Sequence, residues 1–411
     1  MNFINKIFRN GLSMGFQFGS RWGLNLVLAT QLSNAEYGVF ALILMVANLS
    51  TPAMSFGSNF FIIHNISKKN SRLVLFSSLL LTCVVAFIIT LLATIISFLG
   101  SFIETPISSI LIGLGIGFNW TIAQVFLSYM KGKSNFSSEM RIQILAAFFL
   151  LTFTYFIFIF KVENAFDISL SLYLISFVTV LISAISLKQD IHQEKIFIAK
   201  YPQKILTTQR VKERIVYAFH DILAFTFSNL PFIFMAIYAS IDEFGIFRKI
   251  YVLIVPFTLI PVIISQVLLG RVSTISDRKA KMKAFKSVTT ILSCLGIIVW
   301  GLSLMLAEDI FKLVLPNNYS EDNLFIFSLF LITTLIIYLR AFFDVLLTSL
   351  DAQKLRTQSL VVSLVLSCIT FIIFSSGISG ETAANIHMVF HSLLFIFILM
   401  VLPKAYKQYE G

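Results

Sequence analysis

Ala35-Glu36-Tyr37-Gly38-Val39-Phe40 is answered later in the chain by Asp242-Glu243-Phe244-Gly245-Ile246-Phe247. The glutamate, the glycine and the final phenylalanine are identical. The first aromatic is kept, and a β-branched residue precedes the last ring. Both copies end one long apolar run and begin the next, so they occupy the same joint of two similar halves. An internal duplication accounts for this most simply, and many membrane transporters are built that way.

The composition agrees. Hydrophobic residues make up 57% of the 411-residue chain and charged residues 12%, against about 45–50% and about 25% in ordinary soluble domains. Twelve apolar spans are read at 10–31, 37–63, 73–99, 106–130, 142–160, 168–187, 215–239, 244–270, 287–307, 324–349, 357–376 and 383–402. Each is close to the ~20 residues that cross a bilayer. Met1–Asn10 lacks the long apolar core and small-residue cleavage site of a signal peptide, and reads as a short interfacial helix. Cys83, Cys294 and Cys368 fall inside apolar spans, which suggests packing residues and neither a disulfide nor a zinc site.

The connections alternate in charge. One set carries most of the 31 basic residues, among them Lys68, Lys69, Lys131, Lys133, Lys195, Lys281 and Lys404. The other holds Lys161 and Lys312 among many acids, including Glu36, Glu104, Asp242, Glu308 and Glu321. The positive-inside rule then places both termini in the cytoplasm. The net charge of +11 is thereby a topology signal, and a nucleic-acid partner is not indicated.

Six spans return the chain to its starting side, so the halves are parallel repeats. The predicted organisation is an N-terminal six-helix lobe (1–187), a basic cytoplasmic linker (188–214) and a C-terminal six-helix lobe (215–411). Ile196, Phe197, Ile198 and Tyr201 among the linker's basic residues allow a surface-lying helix. No GxxxxGK[ST] run and no soluble segment long enough for a nucleotide-binding domain is present, so transport must draw on a gradient, the membrane potential or another protein.

The first span is the most informative. Gly11, Gly15, Gly19 and Gly23 form a smooth stripe that could admit a neighbouring helix. Gln17, Arg21 and Asn25 lie roughly opposite. Arg21 falls near the bilayer centre, where a charge facing lipid costs several kcal/mol, so it should point inward. It either meets a ligand or bonds carbonyls or an acid for structure. The second span carries a polar stripe of Asn48, Pro52, Ser55 and Asn59 with an expected kink. Pro256 and Pro261, with Gln266 beyond them, suggest a comparable bend in the eighth.

Arg248 and Lys249 break the charge alternation; they either sit in a cavity or snorkel to the outer headgroups. Arg340 and Asp344, four residues apart, either neutralise each other or serve transport. Asp221 shares a helix face with Asn229. Arg21, Arg248, Lys249 and Arg340 outweigh Asp221 and Asp344, which favours an anionic substrate. The histidine pair His387 and His391 reads as a helix face near the membrane edge; no metal, cofactor or enzyme site is indicated.

Leu32-Ser33-Asn34-Ala35-Glu36-Tyr37-Gly38-Val39-Phe40 resembles the first periplasmic turn of the polysaccharide-biosynthesis flippases. These are the O-antigen-unit and oligosaccharide-lipid translocases of the multidrug/oligosaccharidyl-lipid/polysaccharide exporter superfamily. Asp242–Phe247 is similar to the corresponding turn of the second half, and Leu315-Pro316-Asn317-Asn318-Tyr319 also resembles that family. The resemblance implies an all-α polytopic membrane protein, with twelve transmembrane helices in two six-helix lobes around a central cavity, working by alternating access. Its implied substrate is an undecaprenyl-pyrophosphate-linked glycan, moved from the cytoplasmic to the periplasmic leaflet of a bacterial inner membrane. A polysaccharide polymerase and its chain-length machinery are the implied partners, beside membrane lipids. Arg21 and the cavity helices carry over from the family. A cation-coupled drug antiporter of the same superfamily and a peptidoglycan-precursor flippase are the alternatives.

Overall fold

The computed structural model describes residues 3–65, 71–99, 107–133, 135–187, 208–273, 278–350 and 352–408. They are helical almost throughout, with no strand among them. The helices are α1 (Phe3–Gln31), α2 (Asn34–Ser55), α3 (Ser58–Asn65), α4 (Ser71–Leu99), α5 (Ile107–Gly132), α6 (Phe136–Phe160) and α7 (Ala165–Ser186). The order continues with α8 (Thr208–Tyr238), α9 (Ile241–Ser273), α10 (Arg278–Met305), α11 (Ala307–Val314), α12 (Glu321–Ser349), α13 (Gln353–Ile373) and α14 (Gly380–Gln408).

Among the described residues, eleven helices are long and apolar enough to cross a membrane. The first helix is the twelfth of spanning length, with 29 residues; Gln17, Arg21 and Asn25 keep its hydropathy below that of the others. Phe3–Asn10 continue into it as helix. The surface helix expected around Ile196–Tyr201 lies outside the described residues.

The chain forms two compact units, Met1–Thr226 and Phe227–Gly411, and α8 contributes to both. Within the first, α2 and α4 pack on α5, α5 packs on α7, and α6 on α7. Within the second, α9 and α10 pack on α12, α12 on α14, and α13 on α14. Each of these pairs in one half has its counterpart by order in the other, so the sequence repeat is largely a repeat of packing; α1 also packs on α6.

The twice-written motif is a helix start. Ser33 Oγ accepts the Glu36 N–H at 3.2 Å, and Ser240 Oγ accepts the Glu243 N–H at 3.2 Å. Glu243 completes a capping box by accepting the Ser240 N–H at 3.3 Å. Glu36 reaches further, to the Ala165 N–H at 2.8 Å, and so satisfies a free donor at the start of α7. The aromatic residues of both copies, Tyr37, Phe40, Phe244 and Phe247, are fully buried. The motif thus caps a spanning helix and wedges rings into its own unit.

Glycine admits close approach at α5. A Cβ on Gly113 would stand 2.7 Å from the Ile43 carbonyl oxygen, and one on Gly117 would stand 2.7 Å from that of Ala47. α2 therefore crosses α5 almost backbone to backbone, and the Thr121 hydroxyl donates to the Thr51 carbonyl at 3.3 Å. The expectation for the first span is corrected here. A Cβ on Gly15 or Gly19 would meet nothing, and on Gly23 only Leu151 at 3.9 Å. That stripe is smooth without being a site of close packing.

The predicted kink of the second span is a full break. After α2, Phe56 (φ 44°) and Gly57 (φ +67°) adopt left-handed conformations, and α3 begins at Ser58. Glycine takes this conformation freely, whereas phenylalanine takes it at a cost of about 1–2 kcal/mol. α8 fills the break: a Cβ on Gly57 would lie 2.8 Å from the Arg214 carbonyl oxygen and 2.9 Å from the Ala218 nitrogen. Arg214 is itself buried. Its guanidinium donates to Ser77 Oγ at 2.8 Å and Ser78 Oγ at 3.0 Å, and covers the Phe61 ring at 4.1 Å. Basic residues at a loop end are ordinarily solvated; here two helices, α3 and α4, supply hydroxyls and a ring in place of water.

Gly57→Ala should destabilise the protein by about 1–3 kcal/mol, through its positive φ and the absence of space for a Cβ. Gly19→Ala should be neutral. Thermal unfolding in detergent checks the pair, and equal midpoints would contradict the packing at the break.

Candidate functional site

In the first unit the polar residues converge on one stripe of α5. Trp120, Gln124 and Ser128 are spaced by four, so their side chains line one face over about 12 Å. The Arg21 guanidinium lies over the Trp120 ring, 4.2 Å from its centroid. Asn59, set by the break before α3, donates from Nδ2 to Gln124 Oε1 at 2.9 Å and accepts from Ser128 Oγ at 3.4 Å. Arg21 and Asn59, distant in sequence, thus touch neighbouring turns of the same helix. Gln17, Arg21, Asn25, Asn48, Asn59, Trp120 and Gln124 all remain partly exposed, a state in which a membrane-spanning polar face keeps access to water or a ligand.

Arg21 is not neutralised. Among the described residues no acidic side chain lies within ion-pair distance of it. Its contact with the indole is a cation–π one, which does not cancel its charge. Asn25 Nδ2 donates to the Arg21 carbonyl oxygen at 2.8 Å and Ser20 Oγ to that of Gln17 at 3.2 Å, so these two bonds are internal to α1. Asn48 takes no part in the Asn59 bonds.

The second unit holds a denser cluster. Asp344 is shared: Oδ2 lies 3.5 Å from Arg340 Nε, and Oδ1 accepts from Arg356 Nε at 3.1 Å. Arg340 Nη1 lies 3.0 Å from His391 Nδ1. A guanidinium can only donate, so Nδ1 is the acceptor, and the neutral ring carries its proton on Nε2. His391 Nε2 is buried without a hydrogen-bond partner. His387 stands edge-on to His391 at 4.4 Å, and Phe227 covers the latter at 4.8 Å.

Arg340 and Asp344 stand at ion-pair distance, and Arg356 takes the other carboxylate oxygen, so the pair is not closed. The two histidines, placed by sequence at the membrane edge, are 6% and 0% exposed. Helical spacing gave their common face and could not say that α12 covers it. Among the described residues, no group of histidine, cysteine and carboxylate side chains could hold a metal ion.

Lys249 is buried at 3% exposure, packed among helices and not extended to headgroups. Arg248 lies over Phe232 at 4.5 Å. Asp221 is half-buried on α8, in the first unit. Nothing is described for the Gln266 side chain. Tyr319, in the stretch after α11, donates to Glu308 Oε1 at 3.0 Å beside Lys312. The Lys312 ammonium, with Tyr319, holds the Glu308 carboxyl below its ordinary range. Sequence reading missed Trp120, Gln124, Ser128 and Arg356; the four-residue spacing of the first three was the available signal.

A helical fold of twelve membrane-length helices among the described residues, in two repeated units and with cations inside its spans, defines a polytopic membrane protein. A family model described as polysaccharide biosynthesis protein matches residues 27–323, and the chain belongs to that family. No curated protein matches it by sequence. Among solved structures it is similar to the lipid II flippase MurJ in an inward closed conformation. That similarity has a TM-score of 0.70 at 10% identity, covering 97% of this chain and 89% of that one. It is also similar to an inward-facing multidrug resistance MATE family transporter of the MOP superfamily (TM-score 0.66, 12% identity, 98% and 99% covered). A MOP superfamily transporter from Pyrococcus furiosus, whose title notes a binding pocket of reverse polarity, is a third (0.60, 15%, 98% and 96%). At these identities the likeness is one of fold.

If Asp344 serves both cations, Asp344→Asn should lower the unfolding midpoint by leaving two guanidiniums facing each other. Adding Arg356→Gln should then recover part of the loss. Purely additive midpoints in a double-mutant cycle would show that the carboxylate is not shared.

Proposed function

We propose that this chain flips an undecaprenyl-pyrophosphate-linked oligosaccharide repeat unit, of O-antigen or a related surface polysaccharide, from the cytoplasmic to the periplasmic leaflet. The observation that carries the reading is Arg21, a guanidinium midway along the first span with no acid at ion-pair distance among the described residues. A diphosphate entering hydrocarbon must exchange water for donors. A guanidinium supplies a paired, charge-assisted set that an ammonium cannot copy. The lipid tail stays in the bilayer while Gln17, Asn25, Asn48 and Asn59 offer polar contacts to the headgroup. Arg248, Lys249 and Arg340 add to the anion preference, and Asp344 and Asp221 are the candidates for coupling. The reaction is transport by alternating access, with no covalent chemistry. The lobes that move are 1–187 and 215–411, joined by the linker 188–214. A polysaccharide polymerase with its chain-length machinery would receive the product.

The membrane is the bacterial inner membrane, with both termini cytoplasmic, on the strength of the loop charges. Family membership supports the glycan substrate. The surplus of buried cations argues against a cationic drug. A peptidoglycan precursor shares the diphosphate, and it is separated from the favoured reading by which glycan accumulates when the gene is deleted.

Cysteines placed at Lys281 and Lys404 should label only from the cytoplasm, and at Glu308 and Glu321 only from outside. Labelling of both sets from one side would overturn the orientation.

Arg21→Ala should abolish export at matched membrane abundance, Arg21→Lys should restore it in part, and Arg21→Glu should be at least as damaging as Ala. The measurement is surface polysaccharide per transporter molecule. Near-normal export by the Ala and Glu variants would refute the diphosphate role. Variants that fail to accumulate would mark Arg21 as structural.

A further inference from the structure

We infer that the α5 stripe is a saccharide subsite, in which Gln124 and Asn59 read sugar hydroxyls, the buried Ser128 holds Asn59 in place, and Trp120 joins that subsite to the diphosphate held by Arg21. This rests on the flippase reading and adds to it which part of the headgroup lies where.

Three observations point to a ligand beyond a helix-to-helix tie. The Asn59–Gln124 bond uses only the Oε1 of Gln124. Its Nε2 donates to none of the described residues, and the side chain is partly exposed. Its two N–H donors are therefore left for a partner other than the described residues, and a sugar hydroxyl can serve. Next, the geometry is built at a cost: Asn59 reaches α5 because the span breaks at Phe56 and Gly57, both left-handed. Inside a bilayer, interrupted helices persist where their polar groups line a cavity or binding site. Finally, the side-chain types suit a sugar. Amides can each donate and accept, as a ring of hydroxyls requires, and an indole one turn away supplies the apolar face that sugar C–H groups stack against.

The direction follows from the chain. α5 is the fourth span and runs opposite to α1, so Gln124 and Ser128 lie from Trp120 toward the end of the unit where α1 begins. They stand about 6 and 12 Å along the axis from Trp120. A headgroup with its diphosphate at Arg21 would then extend its first sugars toward the start of α1, the cytoplasmic side in the proposed orientation. Trp120 is a positioning residue: its ring lies 4.2 Å from the Arg21 guanidinium carbon and fixes where that cation stands for phosphate oxygens.

The test is binding to the purified full-length protein in nanodiscs, with two probes. One is undecaprenyl diphosphate without sugar. The other is the lipid-linked repeat unit extracted from the host strain lacking this transporter. The wild type should bind the sugar-bearing lipid about tenfold more tightly than the bare one, and Gln124→Ala and Asn59→Ala should erase that preference with the bare-lipid affinity held within about twofold. Ser128→Ala, which leaves the Asn59–Gln124 bond intact, should narrow the preference by about threefold, and it serves where the amide variants do not fold. Trp120→Leu should weaken both probes alike, and Trp120→Phe should restore most of the loss. A wild type that binds both lipids equally overturns the subsite and leaves the diphosphate role of Arg21 standing; so do Gln124 and Ser128 variants that keep the preference. A wild type that binds neither lipid overturns the flippase reading and the subsite with it.

Discussion

Hydrocarbon offers no hydrogen bonds, so every polar group placed in a spanning segment must be satisfied by the protein itself or by something the protein carries. That constraint orders the whole molecule. It makes the backbone helical, and it turns Ser33 and Ser240 into caps. It also surrounds Arg214 with hydroxyls and a ring. Residues that meet the rule internally are structural. Those that meet it only in part are the ones on which the proposed ligand site rests.

On that criterion the polar spans sort themselves. Arg214 is fully enclosed by Ser77, Ser78 and Phe61 and has every sign of an anchor for α8. Arg21 has an aromatic face and no acid within ion-pair distance among the described residues. The cluster of Arg340, Asp344, Arg356 and His391 falls between these two. Its one carboxylate is divided between two guanidiniums, and its histidine keeps a buried ring nitrogen without a partner. A carboxylate divided between two guanidiniums leaves each cation less fully neutralised than a closed ion pair would.

The repeat shows how one device is reused with different ends. Both halves start their second span with a serine-capped motif and bury its rings. In the first half the repeated glutamate reaches across to cap α7, and in the second it closes its own capping box. The halves also differ in how they bend: the first breaks its helix at Phe56 and Gly57, while α9 continues through Pro256 and Pro261. Duplication supplied equivalent packing, and the polar chemistry then diverged within it.

Fold class, span number and repeat were legible in the sequence because each has a local signature. Apolar length, loop charge and four-residue spacing need no knowledge of neighbours. The serines three positions before Glu36 and Glu243 would have identified the motif as a cap on the same basis. What helical spacing cannot carry is which face meets which helix. Gly15 and Gly19 made the more regular stripe, yet the close approach falls at Gly113 and Gly117, because α2 and not a neighbour of α1 comes within backbone distance. His387 and His391 share a face that the packing of α12 and of Phe227 buries. Arg340 and Asp344 are neighbours on one helix, and only the return of α13 brings Arg356 to the same carboxylate. The meeting of Arg21 with Trp120, and of Asn59 with Gln124, is likewise a property of three helices brought together. Periodicity assigned each residue to a face; tertiary contact alone decided what that face would touch, since side-chain reach is a few ångströms and the chain separations are tens of residues.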